Sequence, residues 1–312
     1  VAQALHHPQM TVHFLGTGGS WPSAQRNVAA TAIKRGSEVL LFDCGEGTQR
    51  QFQKGGLSYQ AISKIFISHL HGDHVYGLPG IVKTMQLNER TDPLDVYGPR
   101  GILDLMGVYD RIANVRDQFP IRVHELRDGS HVKFEGYEVR AAKMNHGLHN
   151  LAYGLVEEER PGRFDKPTAL RLGVPEGPLF RKLQMGEEVK SKDGRSVRPT
   201  EVLGPPRRGR KVVVTGDTGP CEALVSFAHG STLLICEATY CAEMADRAAE
   251  YGHMTAAWAA EAAKRAAVER LVLTHISPRY VDSGQHLAEA RPIFAQVTVA
   301  EDFDAIEVPL SD

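Results

Sequence analysis

The stretch Ser68-His69-Leu70-His71-Gly72-Asp73-His74 places three imidazoles and a carboxylate within six residues, directly behind the apolar run Ile65-Phe66-Ile67. Histidine is the commonest metal-binding side chain, and donors this dense are hard to bury without a cation. An exposed histidine-rich turn would need no apolar strand to deliver it. The run therefore constrains the fold to one that ends a buried strand at a metal site. In an extended segment His69 and His71 point the same way, whereas the adjacent Asp73 and His74 diverge. One cation can take the first pair and a second cation the other. Zinc takes about four ligands, so each would need further donors from elsewhere in the chain.

The surrounding pattern alternates strands and helices in two blocks. In the first, strands are expected at Thr11 to Leu15, Ala29 to Lys34, Glu38 to Asp43 and Lys64 to Ser68. A helix is expected over Glu46 to Lys54, ending at Gly55-Gly56, and another from near Asp73 towards Asn88. Further strands are read at Leu94 to Tyr97, Ile121 to Glu125, His131 to Phe134, Tyr137 to Met144 and Leu151 to Val156, with a helix at Gly101 to Ile112. In the second block, Lys211 to Thr215, Leu233 to Glu237 and Leu271 to Thr274 read as buried strands. Ala242 to Glu250, Thr255 to Ala267 and Ser283 to Arg291 read as helices. Strands interleaved with helices in two groups predict an α/β sandwich of two sheets with helices outside.

Between the blocks, residues 157–211 hold seven prolines and little periodicity, with 14 Lys+Arg against 9 Asp+Glu. The chain as a whole carries a net charge of −2, so a basic insertion interrupts an acidic body. A segment this long is a solvated linker or a functional element. Apolar anchors at Leu170 to Val174 and Leu179-Phe180 favour the second, and its charge suits a phosphate backbone. No window approaches the roughly 18 consecutive apolar residues of a membrane span. Val1 to Met10 lacks the layout of a secretory signal and reads as a tail. Four scattered cysteines, Cys44, Cys221, Cys236 and Cys241, fit a reducing compartment, and the protein is expected to be cytoplasmic.

Three candidates for the missing donors stand after expected strands: His146 after Tyr137 to Met144, Asp217 in Gly216-Asp217-Thr218, and His275 after Leu271 to Thr274. Each alone is more often a structural strand-end residue or turn former. Taken together with the run, they gain weight.

At this point the sequence resembles a known family. His69-Leu70-His71-Gly72-Asp73-His74 matches the H-x-H-x-D-H signature of the metallo-β-lactamase superfamily, and His146, Asp217 and His275 follow in that superfamily's order. The resemblance spans residues 11 to 279 and implies a single αββα sandwich over residues 1–312 with a dinuclear site at one edge of the sheets. It implies two zinc ions per subunit. His69, His71 and His146 would hold one; Asp73, His74 and His275 the other; Asp217 would bridge them. The absence of a cysteine ligand leaves manganese or iron open.

Superfamily members hydrolyse lactams, thioesters, lactones and phosphodiesters, so other motifs must name the substrate. Phe14-Leu15-Gly16-Thr17-Gly18 with Arg26-Asn27, Phe42-Asp43-Cys44-Gly45-Glu46-Gly47-Thr48-Gln49, Glu237-Ala238-Thr239-Tyr240 and Gly252-His253-Met254-Thr255 are similar to segments of the ribonuclease Z family of tRNA 3′-processing endonucleases. Cys236 stands where the family has a histidine, and Ala24 where it has a lysine. Singly, each segment has a plain reading: a tight turn, Glu46 as a helix N-terminal acid, His253 as a cap for the helix near Thr255. The resemblance implies a precursor-tRNA substrate and a homodimer. Residues 157–210 would form a projecting flexible arm that grips tRNA. Asp73 would be the proton acceptor, and His253, oriented by Glu237, the proton donor. A small-molecule phosphodiesterase or lactonase, and a silent RNA-binding protein, are the rival readings.

Overall fold

The computed structural model describes residues 7–113 and 119–310; most of the expected N-terminal tail, residues 1–6, lies outside them. The first block contains β1 (Met10–Gly16), β2 (Ala30–Arg35), β3 (Glu38–Phe42), α1 (Thr48–Lys54), β4 (Ile62–Phe66), α2 (Gly72–Val75), α3 (Leu78–Leu87), β5 (Leu94–Gly98), α4 (Ile102–Ala113), β6 (Ile121–Glu125), β7 (His131–Phe134), β8 (Tyr137–Lys143) and β9 (Leu151–Glu157). The insertion contributes α5 (Lys166–Arg171), α6 (Pro178–Gln184), β10 (Val189–Lys190) and β11 (Ser196–Val197). The second block adds β12 (Lys211–Val214), α7 (Glu222–Ala228), β13 (Leu233–Glu237), α8 (Ala245–Tyr251), α9 (Ala256–Arg265), β14 (Leu271–Thr274), α10 (Gly284–Ala290), β15 (Val297–Val299) and β16 (Ala305–Glu307).

Two mixed sheets result. One has the order β16-β1-β2-β3-β4-β5-β6, antiparallel as far as β3 and parallel from β3 to β6. The other runs β15-β14-β13-β12-β9-β8-β7, parallel from β15 to β12 and antiparallel beyond. The central strands are apolar on both faces because both faces are covered. In β3, Leu40 and Phe42 enter the core between the sheets, while Val39 and Leu41 face α1 and α3. In β13, Leu233 and Ile235 face inward, while Leu234 and Cys236 pack under α9. Alanines at 256, 259, 260 and 263 form the helical stripe that lets α9 lie close to the second sheet. Each fully buried Leu, Ile or Phe contributes roughly 1.5–3 kcal/mol to this arrangement. Among the described residues no helix is long and apolar enough to cross a membrane.

Several local expectations shift. The helix from Asp73 towards Asn88 divides into α2 and α3, because Pro79 takes a first-turn position and begins a new helix. The helix expected from Glu46 starts at Thr48, since Gly47 sits in the left-handed region at φ 78°. The insertion, read as a flexible arm, has a core of its own. Ala169, Val174, Leu183, Val189, Val197 and Val202 are buried together, with Phe164 and Phe180 packed at 4.8 Å. Asp165 caps α5 by accepting from the Thr168 N–H. Backbone bridges Arg160–Arg207 and Phe164–Leu203 close its neck.

Candidate dinuclear metal centre

The parallel strands bring the chemistry-bearing residues to one edge. The histidine run follows β4, Asp217 follows β12, Glu237 ends β13 and His275 follows β14, all at carboxyl ends, where open α/β sheets place their sites. His146 joins from the turn after β8 and His253 from the turn between α8 and α9.

One donor group gathers His69, His71, His146 and Asp217; another gathers Asp73, His74 and His275; in each, the ligand atoms lie within 4.8 Å of one another. His69 Nε2 is 2.9 Å and His146 Nε2 3.4 Å from His71 Nδ1. Asp217 lies between the groups: its Oδ1 is 3.3 Å from both His74 Nε2 and His275 Nε2, and its Oδ2 is 3.6 Å from His69 Nε2.

Hydrogen bonds behind the rings fix which nitrogen faces the cluster. Asp43, at φ 57°, accepts on Oδ1 from Ser68 N (2.7 Å), and on Oδ2 from Ser68 Oγ (2.9 Å) and His74 Nδ1 (2.8 Å). A carboxylate only accepts, so the proton of neutral His74 is on Nδ1 and its Nε2 is bare. Ser68 Oγ has spent its proton on Asp43 and accepts from His69 Nδ1 at 3.0 Å. His146 Nδ1 donates to the Gly252 carbonyl at 3.0 Å. Thr239 Oγ1 donates to Glu237 Oε2 (2.7 Å) and accepts from His275 Nδ1 (2.9 Å). Four bare imidazole nitrogens therefore converge on Asp217.

Bare lone pairs about 3.3 Å apart repel unless a cation or proton lies among them. Asp217 Oδ1 is buried without a hydrogen-bond partner. Burial opposes charge on His74, yet Asp217 and Asp43 raise its affinity for a proton well above the ordinary imidazole range. Burial acts on Asp73 too, but His275 and His74 hold its carboxyl well below the usual range. The donors fit two divalent cations. Ring nitrogens with second-side partners and a shared carboxylate are the arrangement that metal sites use.

Glu237 is fully buried and satisfied by Thr218 N (2.8 Å), Thr239 N (3.1 Å), Met254 N (3.1 Å), Thr239 Oγ1 and His253 Nδ1 (2.7 Å). Although burial disfavours the cation, Glu237 raises His253 to about 9. Thr255 caps α9 by its own side chain, so His253 is not the cap. Cys236 points under α9, away from the cluster. The glycine loop lies against His275: a Cβ on Gly19 would sit 2.6 Å from that ring. Arg26 is buried on Thr17 Oγ1 and the Ala300 carbonyl, each at 2.6 Å, so it buttresses the loop. Glu46 is exposed on the cleft rim and precedes α1.

The seven candidate donors thus meet here with His253 and Glu237. The sequence assigns no role to Asp43, Ser68 or Thr239, although all three lie inside the quoted stretches.

A donor cluster of this kind, on the shared edge of two mixed sheets with helices on both outer faces, defines a metal-dependent hydrolase of the metallo-β-lactamase fold. A family profile described as a beta-lactamase superfamily domain matches residues 188–276, and one described as the anti-Pycsar protein Apyc1 matches residues 10–161. Ribonuclease Z of Methanosarcina acetivorans is 44% identical over 301 residues, covering 96% of this chain and 98% of that protein. Ribonuclease Z of Methanothermobacter thermautotrophicus is 45% identical, covering 97% and 98%. The solved structure of human tRNase Z, short form, superposes with a TM-score of 0.71 at 30% identity, over 96% of this chain and 99% of that one. The chain belongs to the ribonuclease Z family.

Proposed function

We propose that this chain is an endoribonuclease that removes the 3′ trailer from precursor tRNA, leaving a 3′-hydroxyl on the tRNA and a 5′-phosphate on the trailer. The observation that carries phosphodiester cleavage is the His253–Glu237 pair beside the seven-donor cluster. RNA as the substrate rests on family membership and on the basic insertion. Two divalent cations, zinc by the nitrogen-rich donor set, would be held by His69, His71, His146, Asp73, His74 and His275 with Asp217 shared, and would lower the pKa of water to about 7 and neutralise phosphate oxygens.

The protein's own groups handle the protons. Asp73 Oδ2 already accepts from Ser20 N (2.7 Å), so acceptance from the attacking water falls to Oδ1. As oxygen attacks phosphorus, the bond from phosphorus to the 3′ oxygen breaks. An alkoxide leaves poorly, and His253, protonated at neutral pH, supplies the proton from Nε2 because Nδ1 is held by Glu237. The inserted element, with Arg181, Lys182, Lys190 and Lys192 exposed, grips tRNA phosphates away from the cluster. We also assign the protein to the cytoplasm, a reading supported by its four unpaired cysteines. By family likeness we propose a homodimer in which one subunit's insertion serves the other's site.

The test is cleavage of a precursor tRNA carrying a labelled 3′ trailer, with mapping of both new ends. Hydrolysis of bis(p-nitrophenyl) phosphate with no cleavage of precursor would favour the small-molecule hydrolase instead.

A further inference from the structure

The metal cleft has an aromatic rim that the reaction chemistry does not use. Trp21 is 58% exposed and Tyr76 64% exposed, and both line the cleft that holds His71, Asp73, His253 and His275. Exposing rings this large is unfavourable, because each forgoes the burial that holds most aromatic side chains in the interior. Two other exposed rings are covered: Arg247 lies 5.3 Å over Tyr251, and Lys54 lies 4.9 Å over Phe303. Among the described residues no cation or aromatic ring stacks on Trp21 or Tyr76.

Both rings are tied to the donor residues. Trp21 follows Ser20, which adopts φ 68° and donates its N–H to Asp73 Oδ2 at 2.7 Å. Pro22 follows, and the Ser23–Arg26 turn closes the loop through Ser23 N to Arg26 O at 2.8 Å. Tyr76 ends α2, and its ring lies over Gly72, where a Cβ would come within 2.2 Å of it. Gly72 neighbours His71, whereas the Trp21 loop neighbours Asp73 and His275. Gly72 is also bonded to Asp73, so both rings stand at the mouth of the cleft against residues that carry donor atoms.

We infer that Trp21 and Tyr76 are stacking platforms for unpaired bases next to the scissile phosphate. This rests on the ribonuclease reading above. Bases in single-stranded RNA are free to splay and stack on aromatic side chains, and each such stack is worth about 1–3 kcal/mol. A tRNA 3′ end passing the cluster presents such bases, and the fixed rings would set which phosphate comes to rest there.

The experiment uses the full chain and four variants: Trp21→Ala, Tyr76→Ala, Trp21→Phe and Tyr76→Phe. For each alanine variant, kcat/KM on precursor tRNA should fall relative to kcat/KM on bis(p-nitrophenyl) phosphate by about 5- to 150-fold. The phenylalanine variants should recover most of the loss. On a precursor made abasic next to the cut, one alanine substitution should cause no further loss, since its partner base is gone. Tryptophan fluorescence gives a readout besides activity: binding a short trailer oligonucleotide should quench wild type but not Trp21→Phe, which retains only Trp258 of the chain's two tryptophans. Equal losses on both substrates, an undiminished loss on every abasic precursor, or a change of oligomeric state on substitution would each overturn the platform. If wild type cuts no precursor at all, the ribonuclease reading fails and the platform with it. If wild type cuts and the variants cut as well, the platform alone fails.

Discussion

Asp43 touches no substrate, yet changing it to asparagine should weaken metal binding 10- to 100-fold. The backbone conformation at φ 57° suits asparagine as well as aspartate, so the fold has no reason to object. The fault arises at the side chain, which now has one acceptor oxygen where three donors converge. If the amide oxygen faces Ser68 N, the NH2 meets His74 Nδ1, and the imidazole proton must move to Nε2. That atom lies 3.3 Å from both Asp217 Oδ1 and His275 Nε2 and can then no longer act as a ligand. If the amide turns round, its NH2 abuts the Ser68 N–H. Either orientation loses one hydrogen bond to a charged group, about 1.5–3 kcal/mol, which agrees with the 10- to 100-fold affinity loss typical of such second-side partners. Zinc titration against a chromophoric chelator measures it, with melting curves of metal-free and zinc-loaded protein alongside. The zinc-loaded form should lose more thermal stability than the metal-free form, since only the loaded form needs a bare His74 Nε2. Zinc affinity within twofold of wild type would refute the tautomer argument.

Three further outcomes are expected. His253→Ala should lower cleavage of RNA by about 10²–10⁴-fold and affect bis(p-nitrophenyl) phosphate far less, because nitrophenolate leaves without a proton; equal losses on the two would remove the proton-donor role. Replacing Arg181 and Lys182 together with alanine should raise KM for precursor tRNA and flatten its dependence on salt, read as the slope of log KM against log salt concentration; an unchanged slope would take the insertion out of tRNA binding. Glu157 is disfavoured as an anion by burial, but Arg210, Arg35 and His7 lower it from 4.5 to about 2. Its stabilisation, on the order of 3 kcal/mol, is complete above about pH 4.5 and disappears as pH falls towards 2, so calorimetry of Glu157→Gln should show a flatter acid limb than wild type. Parallel limbs would exclude that ion-pair cluster as a source of acid sensitivity.

The readable parts of this chain are those where one physical rule acts over several adjacent residues. Ile65-Phe66-Ile67 is apolar without alternation because Phe66 faces the core between the sheets while Ile65 and Ile67 face the helices, and such a run is visible to the eye. The histidine run, Asp217 and His275 then mark the ends of such strands, whereas His146 follows the alternating strand β8. The unreadable parts depend on one residue meeting another far along the chain. Nothing local to Asp43 announces His74, and nothing local to Thr239 announces His275. The insertion escaped for a different reason. Its strands have two residues each and its helices six or seven, too few for a period to emerge from background. The three-residue strands β15 and β16 escaped in the same way.

Glu237 illustrates why contacts made far along the chain carry weight. A buried carboxylate is costly unless its oxygens are fully engaged, and here one group accepts from three backbone N–H groups, Thr239 Oγ1 and His253 Nδ1. Through Thr239 it sets the tautomer of His275, a candidate ligand; directly, it charges His253, the candidate proton donor. One carboxylate thus couples the two halves of the chemistry. An apolar replacement would leave three backbone donors unpaired, and a glutamine would put an NH2 against some of them. The position therefore resists substitution from three directions at once: burial, metal geometry and proton supply. That makes it a structural support of the site as well as the partner of the candidate proton donor.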